Sequence, residues 1–260
     1  MAIEPSIFDR VPRTFHDHLT PHRHSALLAC IVIAFVVRPL IGDTGAGAAL
    51  FGIALVLVLL VALYNINVDE MVGERGRLLT QSRRRRHVGW VLATAAASER
   101  LFITFFPQSF LLNLASSICW LLFFLFVTLS QFRSVLKQRE VTGETICMAI
   151  SVYLLLGFTW SLLYGVMFQL HPDSFGNLTA ATPEHPVEVL HLFPVLGYFS
   201  LTTLSTIGFG DITPLTLQAR YAAVAEGITG QFYLAILVAR LVGLQMSRPA
   251  EQQASSAAAD

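Results

Sequence analysis

The chain has 260 residues, 54% hydrophobic and 13% charged, with a mean hydropathy of +0.62. Soluble domains carry about a quarter charged residues, so this composition excludes an ordinary soluble protein and predicts an all-α membrane protein. The 17 basic and 17 acidic residues cancel to a net charge of zero, which predicts neither an acidic partner nor a nucleic acid.

In chain order, residues 1–24 form a polar tail with Arg10, Arg13 and Arg23 and the histidines His16, His18, His22 and His24. Their mixed spacing without cysteine favours a solvated cytoplasmic tail over a metal site or a pH sensor. No small-residue cleavage site follows, so the first apolar run reads as a signal-anchor helix. A bilayer core takes about 20 apolar residues, and six segments approach that length: Ser25–Ile41, Ala46–Asn65, Val88–Phe106, Phe110–Phe132, Thr145–Leu170 and Leu215–Met246. Residues 25–139 thus form a four-helix transmembrane domain and residues 140–246 a second membrane domain. The remaining tail, 247–260, is Ala/Ser/Gln-rich and expected to be disordered and too short for a ligand-binding domain. Cys30, Cys119 and Cys147 each fall inside an apolar run and read as small buried apolar residues.

Basic residues set the orientation. Arg75, Arg77, Arg83, Arg84, Arg85, Arg86, Arg133, Lys137, Arg139 and Arg248 fall on one side of a six-crossing topology, and the loops on the other side hold no Lys or Arg. Both termini are therefore expected in the cytoplasm, in a multi-pass protein of the plasma membrane. Arg83, Arg84, Arg85 and Arg86 read as an anchor against anionic lipid, at about 1 kcal/mol per residue. Glu99-Arg100, inside the third apolar run, reads as an ion pair.

Between the fifth and sixth segments lies a further apolar stretch, Val189–Ser205, ending in Thr206-Ile207-Gly208-Phe209-Gly210-Asp211. It reads as a re-entrant pore helix and an extended segment, because non-helical backbone at membrane depth is tolerated only where protein covers it or it lines a water-filled path. Gly208 and Gly210 alternate with Ile207 and Phe209, and glycine adopts conformations closed to other residues, so successive carbonyls can turn toward one axis. A ring of such oxygens replaces the hydration shell of a potassium ion. One motif supplies a quarter of a ring, so four chains are expected around a shared axis. The helix would aim its C-terminal partial negative charge at the permeating cation.

Thr203-Leu204-Ser205-Thr206-Ile207-Gly208-Phe209-Gly210-Asp211 resembles the TxxTxG[YF]GD signature of the potassium channel superfamily, and the whole chain resembles its prokaryotic six-helix subunits. The resemblance implies a homotetrameric, potassium-selective channel and no enzyme, with K+ as permeant ion and no other cofactor. It implies K+ coordination by Thr206, Ile207, Gly208 and Phe209, with Gly210 completing the filter and Asp211 ringing the outer mouth. Tyr198 and Phe199 match the aromatic cuff of the family's pore helix, and Thr202 and Thr203 its remaining support. Thr202 stands where some members carry a glutamate paired to the aspartate. Gly230 falls at the family's usual inner-helix hinge, although a close helix contact serves equally. Glu226 either faces the cavity or braces the back of the filter. Pro214 is expected to open the inner helix, and Arg240 to mark the cytoplasmic interface.

The front half departs from the voltage-gated pattern. A sensor needs arginines at every third position of its fourth helix, each worth about 2.3 kcal/mol per 100 mV moved. Phe110–Phe132 contains none. A longer potassium uptake transporter would carry four degenerate filters where this chain has one, and a non-conducting scaffold would not need Gly208 and Gly210. His171, His185 and His191 with Asp173 and Glu184 read as outer-loop residues, and Asn177-Leu178-Thr179 as a formal glycosylation sequon.

Overall fold

A computed structural model describes residues 23–41, 45–73, 89, 94, 110–138, 141–178 and 189–257. Most of the third apolar run, with Glu99 and Arg100, lies outside the described residues, as do Arg83, Arg84, Arg85, Arg86, His16, His18, His22, Glu184 and His185. The described elements are α1 (Arg23–Ile41), α2 (Gly45–Gly73), α3 (Phe110–Lys137), α4 (Gly143–Leu170), a 3-10 turn (Pro172–Ser174), β1 (Phe175–Gly176), α5 (Val189–Leu204), β2 (Thr213–Pro214) and α6 (Leu217–Ala257). Among them, α3, α4 and the Leu217–Leu244 part of α6 are long and apolar enough to cross a membrane.

Local chemistry explains where these helices start. Thr142 caps α4: its hydroxyl accepts from the Thr145 amide at 3.3 Å, while the Thr145 hydroxyl accepts from the Thr142 amide at 3.4 Å. This reciprocal pair satisfies two amides that a bare helix end would strand. Glu144, in the first turn of α4, also accepts from the amides of His24 and Ser25 at 2.9 and 3.3 Å. One carboxylate thereby covers the start of α1 and ties it to α4.

Three apolar clusters hold the helices together. The first joins Leu27 and Ile31 of α1, Leu55 and Val58 of α2, Phe123 and Phe124 of α3, Leu155 and Phe158 of α4, and Phe193 of α5. Its rings meet edge-on or tilted, as aromatic quadrupoles prefer, with Phe158 and Phe193 5.3 Å apart and Phe124 and Phe158 6.3 Å apart. Hydroxyls add directional contacts, Thr128 to Thr159 at 3.0 Å between α3 and α4, and Ser117 to Gln169 at 3.1 Å. The second cluster gathers α4, β1, α5 and α6 around Tyr164, and the third joins α3, α4 and α6 around Tyr233, whose hydroxyl donates to the Ala149 carbonyl at 2.6 Å. The front helices therefore pack directly on the outer surface of α4 in the same chain.

Two expectations are corrected. Pro214 does not open the inner helix: it lies in β2, antiparallel to β1 with Phe175 opposite Pro214 and Gly176 opposite Thr213. The Leu215 amide continues that ladder to the Ser174 carbonyl at 2.8 Å, so α6 starts at Leu217, with the Thr216 hydroxyl accepting from the Ala219 amide. The tail is not irregular either: α6 runs to Ala257, with the good helix formers Ala250, Glu251, Gln252, Gln253 and Ala254 following Pro249.

Candidate functional site

The glycine-alternating motif begins at the end of α5, where the chain leaves helical geometry. A single acceptor, the Thr202 carbonyl, takes the amides of both Ile207 at 2.8 Å and Gly208 at 3.1 Å, while Thr206 donates to the Thr203 carbonyl at 3.0 Å. The extended segment is thus hung from the last turn of the helix, occupying carbonyls that would otherwise lack partners. The side chains of Thr202 and Thr203 turn back to the Phe199 carbonyl at 2.9 and 2.8 Å. Thr202 is therefore engaged within its own helix turn.

From there φ alternates. Thr206, Gly208 and Gly210 have φ of +59°, +56° and +79°, while Ile207 and Phe209 keep ordinary values. Glycine takes the left-handed region without the Cβ penalty, and Thr206, which has a Cβ, takes it at a cost of about 1 kcal/mol. Alternation of this kind brings successive carbonyls toward one side of the strand. Residues 206 to 211 are all exposed in the protomer. Phe209 stacks on Tyr198, with centroids 6.2 Å apart and planes at 2°, and Tyr198 lies close enough to Asp211 to feel its carboxylate.

Tyr198 and Phe199 do not share a role. Neighbouring helix positions do not face the same way, and Phe199 turns into the protein, in a three-ring cluster with Tyr164 at 5.1 Å and Phe175 at 5.4 Å. Ile207 is 58% exposed and only partly covered within its own protomer. At the outer end Asn177 donates from its amide to the Asp211 carbonyl at 2.8 Å, and β1 pairs with β2. The same Asn177 is the first residue of the formal sequon, whose Thr179 lies outside the described residues.

Behind this segment, α6 makes its closest approach at Gly230. A Cβ there would fall 2.3 Å from the Leu204 carbonyl oxygen, whereas one at Gly227 would sit 3.7 Å from the Thr203 oxygen. What position 230 requires is close contact, and α6 is continuous through both glycines. Gln231, one residue on, reaches Thr206 Oγ1 at 3.5 Å, the outer limit of a hydrogen bond. Glu226 is fully buried, with Oε2 2.6 Å from the Tyr164 hydroxyl and Oε1 2.5 Å from Ser200 Oγ. It stands behind α5. Lower down, Arg240 donates to the Gln138 carbonyl at 2.6 Å, just past the end of α3, a charge-assisted contact that suits a helix C-terminus.

The sequence did not point to Tyr164 or Ser200, and it singled out Asn177 only as the start of a sequon. Tyr164 and Ser200 are polar groups in apolar runs, which is a signal that a partner exists, but nothing in the spacing names Glu226 as that partner. Among the described residues no group of His, Cys, Asp and Glu is arranged to hold a metal ion.

Comparison with known proteins bears on the second half of the chain. The family model described as an ion channel matches residues 141–245, from the cap of α4 well into α6. The potassium channel protein kcv of Paramecium bursaria Chlorella virus 1 is 30% identical over 76 residues, 29% of this chain and 77% of the viral protein. No solved structure matches.

Proposed function

The chain belongs to the potassium channel superfamily, a membrane channel rather than an enzyme, and from that premise we propose that four copies assemble into a K+-selective pore lined by residues 206–210. The observation that carries the reading is the alternating φ of Thr206, Gly208 and Gly210 on a segment anchored to α5 at one end and to Asn177 at the other. In this reading Thr206, Ile207, Gly208 and Phe209 coordinate K+, Gly210 completes the filter and Asp211 forms a ring of four carboxylates that concentrates cations at the mouth. α5 is re-entrant, and α6 lines the inner path.

Two features support the tetramer. Only 11% of the most apolar 18 residues of Leu217–Leu244 is buried in the protomer, against 56% of the most apolar 18 residues of α4, and the exposed residues of α6 include Tyr221, Val224, Ile228 and Phe232. Together with exposed Ile207 they supply an apolar face that neighbouring copies cover. Four front helices and two pore helices make six crossings, with both termini cytoplasmic. The domains run 1–24, 25–139, 140–246 and 247–260, with α6 extending past the third boundary. Arg83, Arg84, Arg85 and Arg86 meet anionic lipid. The absence of Lys and Arg from Phe110–Phe132 supports a channel without steep voltage gating. The test is reconstitution and current recording in opposed K+ and Na+ gradients. A reversal potential that ignores the K+ gradient overturns the reading.

A further inference from the structure

Glu226 is the one buried carboxyl among the described residues, and it lies where α4, α5 and α6 meet. Tyr164 Oη is 2.6 Å from its Oε2, Ser200 Oγ is 2.5 Å from its Oε1, and Ser200 Oγ is in turn 2.7 Å from the Gly157 carbonyl. Each of these three oxygen-to-oxygen links needs a proton, because two oxygens at such distances with none between them repel. Tyr164 and Ser200 contribute one hydroxyl proton apiece, and a carbonyl contributes none. The third proton has one source left, the Glu226 carboxyl itself.

The surroundings agree with that count. α4 turns Tyr164 toward Glu226, with Tyr153 farther along the same helix, and α5 presents the Ser200 hydroxyl. Among the described residues no Lys, Arg or His forms an ion pair with Glu226. A buried carboxylate without a cation is strongly disfavoured, whereas a carboxylic acid here satisfies every link.

We infer that Glu226 stands as a neutral carboxylic acid, a positioning residue whose own proton, donated to Ser200, locks the pore helix between the inner and outer helices. The proton chain then runs from Tyr164 to Oε2, from Oε1 to Ser200 and from Ser200 to the Gly157 carbonyl. Ser200 precedes by two residues Thr202, whose carbonyl holds the amides of Ile207 and Gly208. Removing the proton leaves two protons for three links: the Ser200 hydroxyl cannot serve both the Glu226 carboxylate and the Gly157 carbonyl, so α5 loses one of its ties, to α6 or to α4, directly behind the filter segment. The support of the filter is therefore lost as pH rises through the titration of Glu226. This consequence for conduction rests on the K+-pore reading, whereas the protonation state does not.

The experiment takes the full chain in lipid vesicles. Infrared difference spectra between wild type and Glu226→Gln at neutral pH are expected to show the loss of a carboxylic-acid carbonyl stretch. Tyr164→Phe, which removes the bond to Oε2, is expected to raise that stretch in frequency, and this second variant assigns the band even if the glutamine protein fails to assemble. Loss of a carboxylate band instead overturns the inference, whatever the ion selectivity proves to be. In current recordings Glu226→Gln, whose amide N–H replaces the acid O–H, is expected to stay within about twofold of wild type at neutral pH. Where alkaline pH removes the acid band, wild-type current is expected to fall about tenfold or more while the glutamine variant is flat. Wild-type current that persists as the band disappears overturns the positioning role.

Discussion

Gly230→Ala tests how α6 meets the filter's supporting helix. The added methyl carbon would lie 2.3 Å from the Leu204 carbonyl oxygen, 3.0 Å from Leu204 Cδ1 and 3.1 Å from the Leu204 carbonyl carbon. Unstrained contact needs about 3.3 Å or more, so α6 and the end of α5 must separate by about 1 Å. The obstacle is backbone, which cannot swing aside as a side chain does. Overpacking of this kind costs about 1–3 kcal/mol, and the gain of about 1 kcal/mol from replacing a mid-helix glycine offsets only part of it. Gly227→Ala serves as the control, because its methyl would meet the Thr203 oxygen at an ordinary 3.7 Å and collects the helix gain without the clash. Thermal denaturation of the purified channel in detergent, followed at fixed K+, should rank Gly227→Ala at or above wild type and Gly230→Ala below it. Single-channel recording should show the loss carried into conduction. A Gly230→Ala protein as stable as Gly227→Ala, altered only in the rate of opening, refutes the contact argument and favours a bending role.

Further outcomes follow from other contacts. Gly208→Asp places a Cβ at φ +56° and an anionic side chain at the filter, so K+ flux into vesicles should vanish while chemical cross-linking still captures the assembled oligomer. Tyr233→Phe removes a second hydrogen bond to the Ala149 carbonyl, which keeps its partner within the helix, and should lower stability by about 0.5–1.5 kcal/mol in the same denaturation assay. Arg240→Gln removes the charged donor that ties α6 to the Gln138 carbonyl, and open probability should shift with K+ over Na+ selectivity unchanged. Gating-charge measurement should return a value far below that of an arginine-bearing sensor, since α3 carries Arg133 and Lys137 only in its last turns.

What could be read from the sequence was whatever depends on local order. The long apolar runs marked α3, α4 and α6 because a bilayer core dictates segment length, and the alternation of glycine with larger residues in 207–210 marked a backbone able to change hand. Features set by distant partners were illegible. Glu226 was visible as a polar residue at depth, but its partners lie 62 and 26 residues away, at Tyr164 and Ser200, and no spacing rule connects them. Pro214 looked like a first-turn proline because that rule is local, whereas its actual place is decided by a ladder to Phe175, far back in the chain. Tyr198 and Phe199 were grouped because they are adjacent and aromatic, yet helical rotation sends one to Phe209 and the other to Tyr164. Gly230 could serve as hinge or contact from sequence alone, and its close approach to the Leu204 carbonyl is set by packing that no local pattern reveals.

The measurement that bears most directly on the central claim is the reversal potential of the reconstituted channel with K+ on one side and Na+ on the other. Selective coordination by Thr206, Ile207, Gly208 and Phe209 predicts a potential that follows the K+ gradient, shifting by about 59 mV for each tenfold change in K+ at constant Na+. A potential that stays near zero as K+ is varied would contradict it.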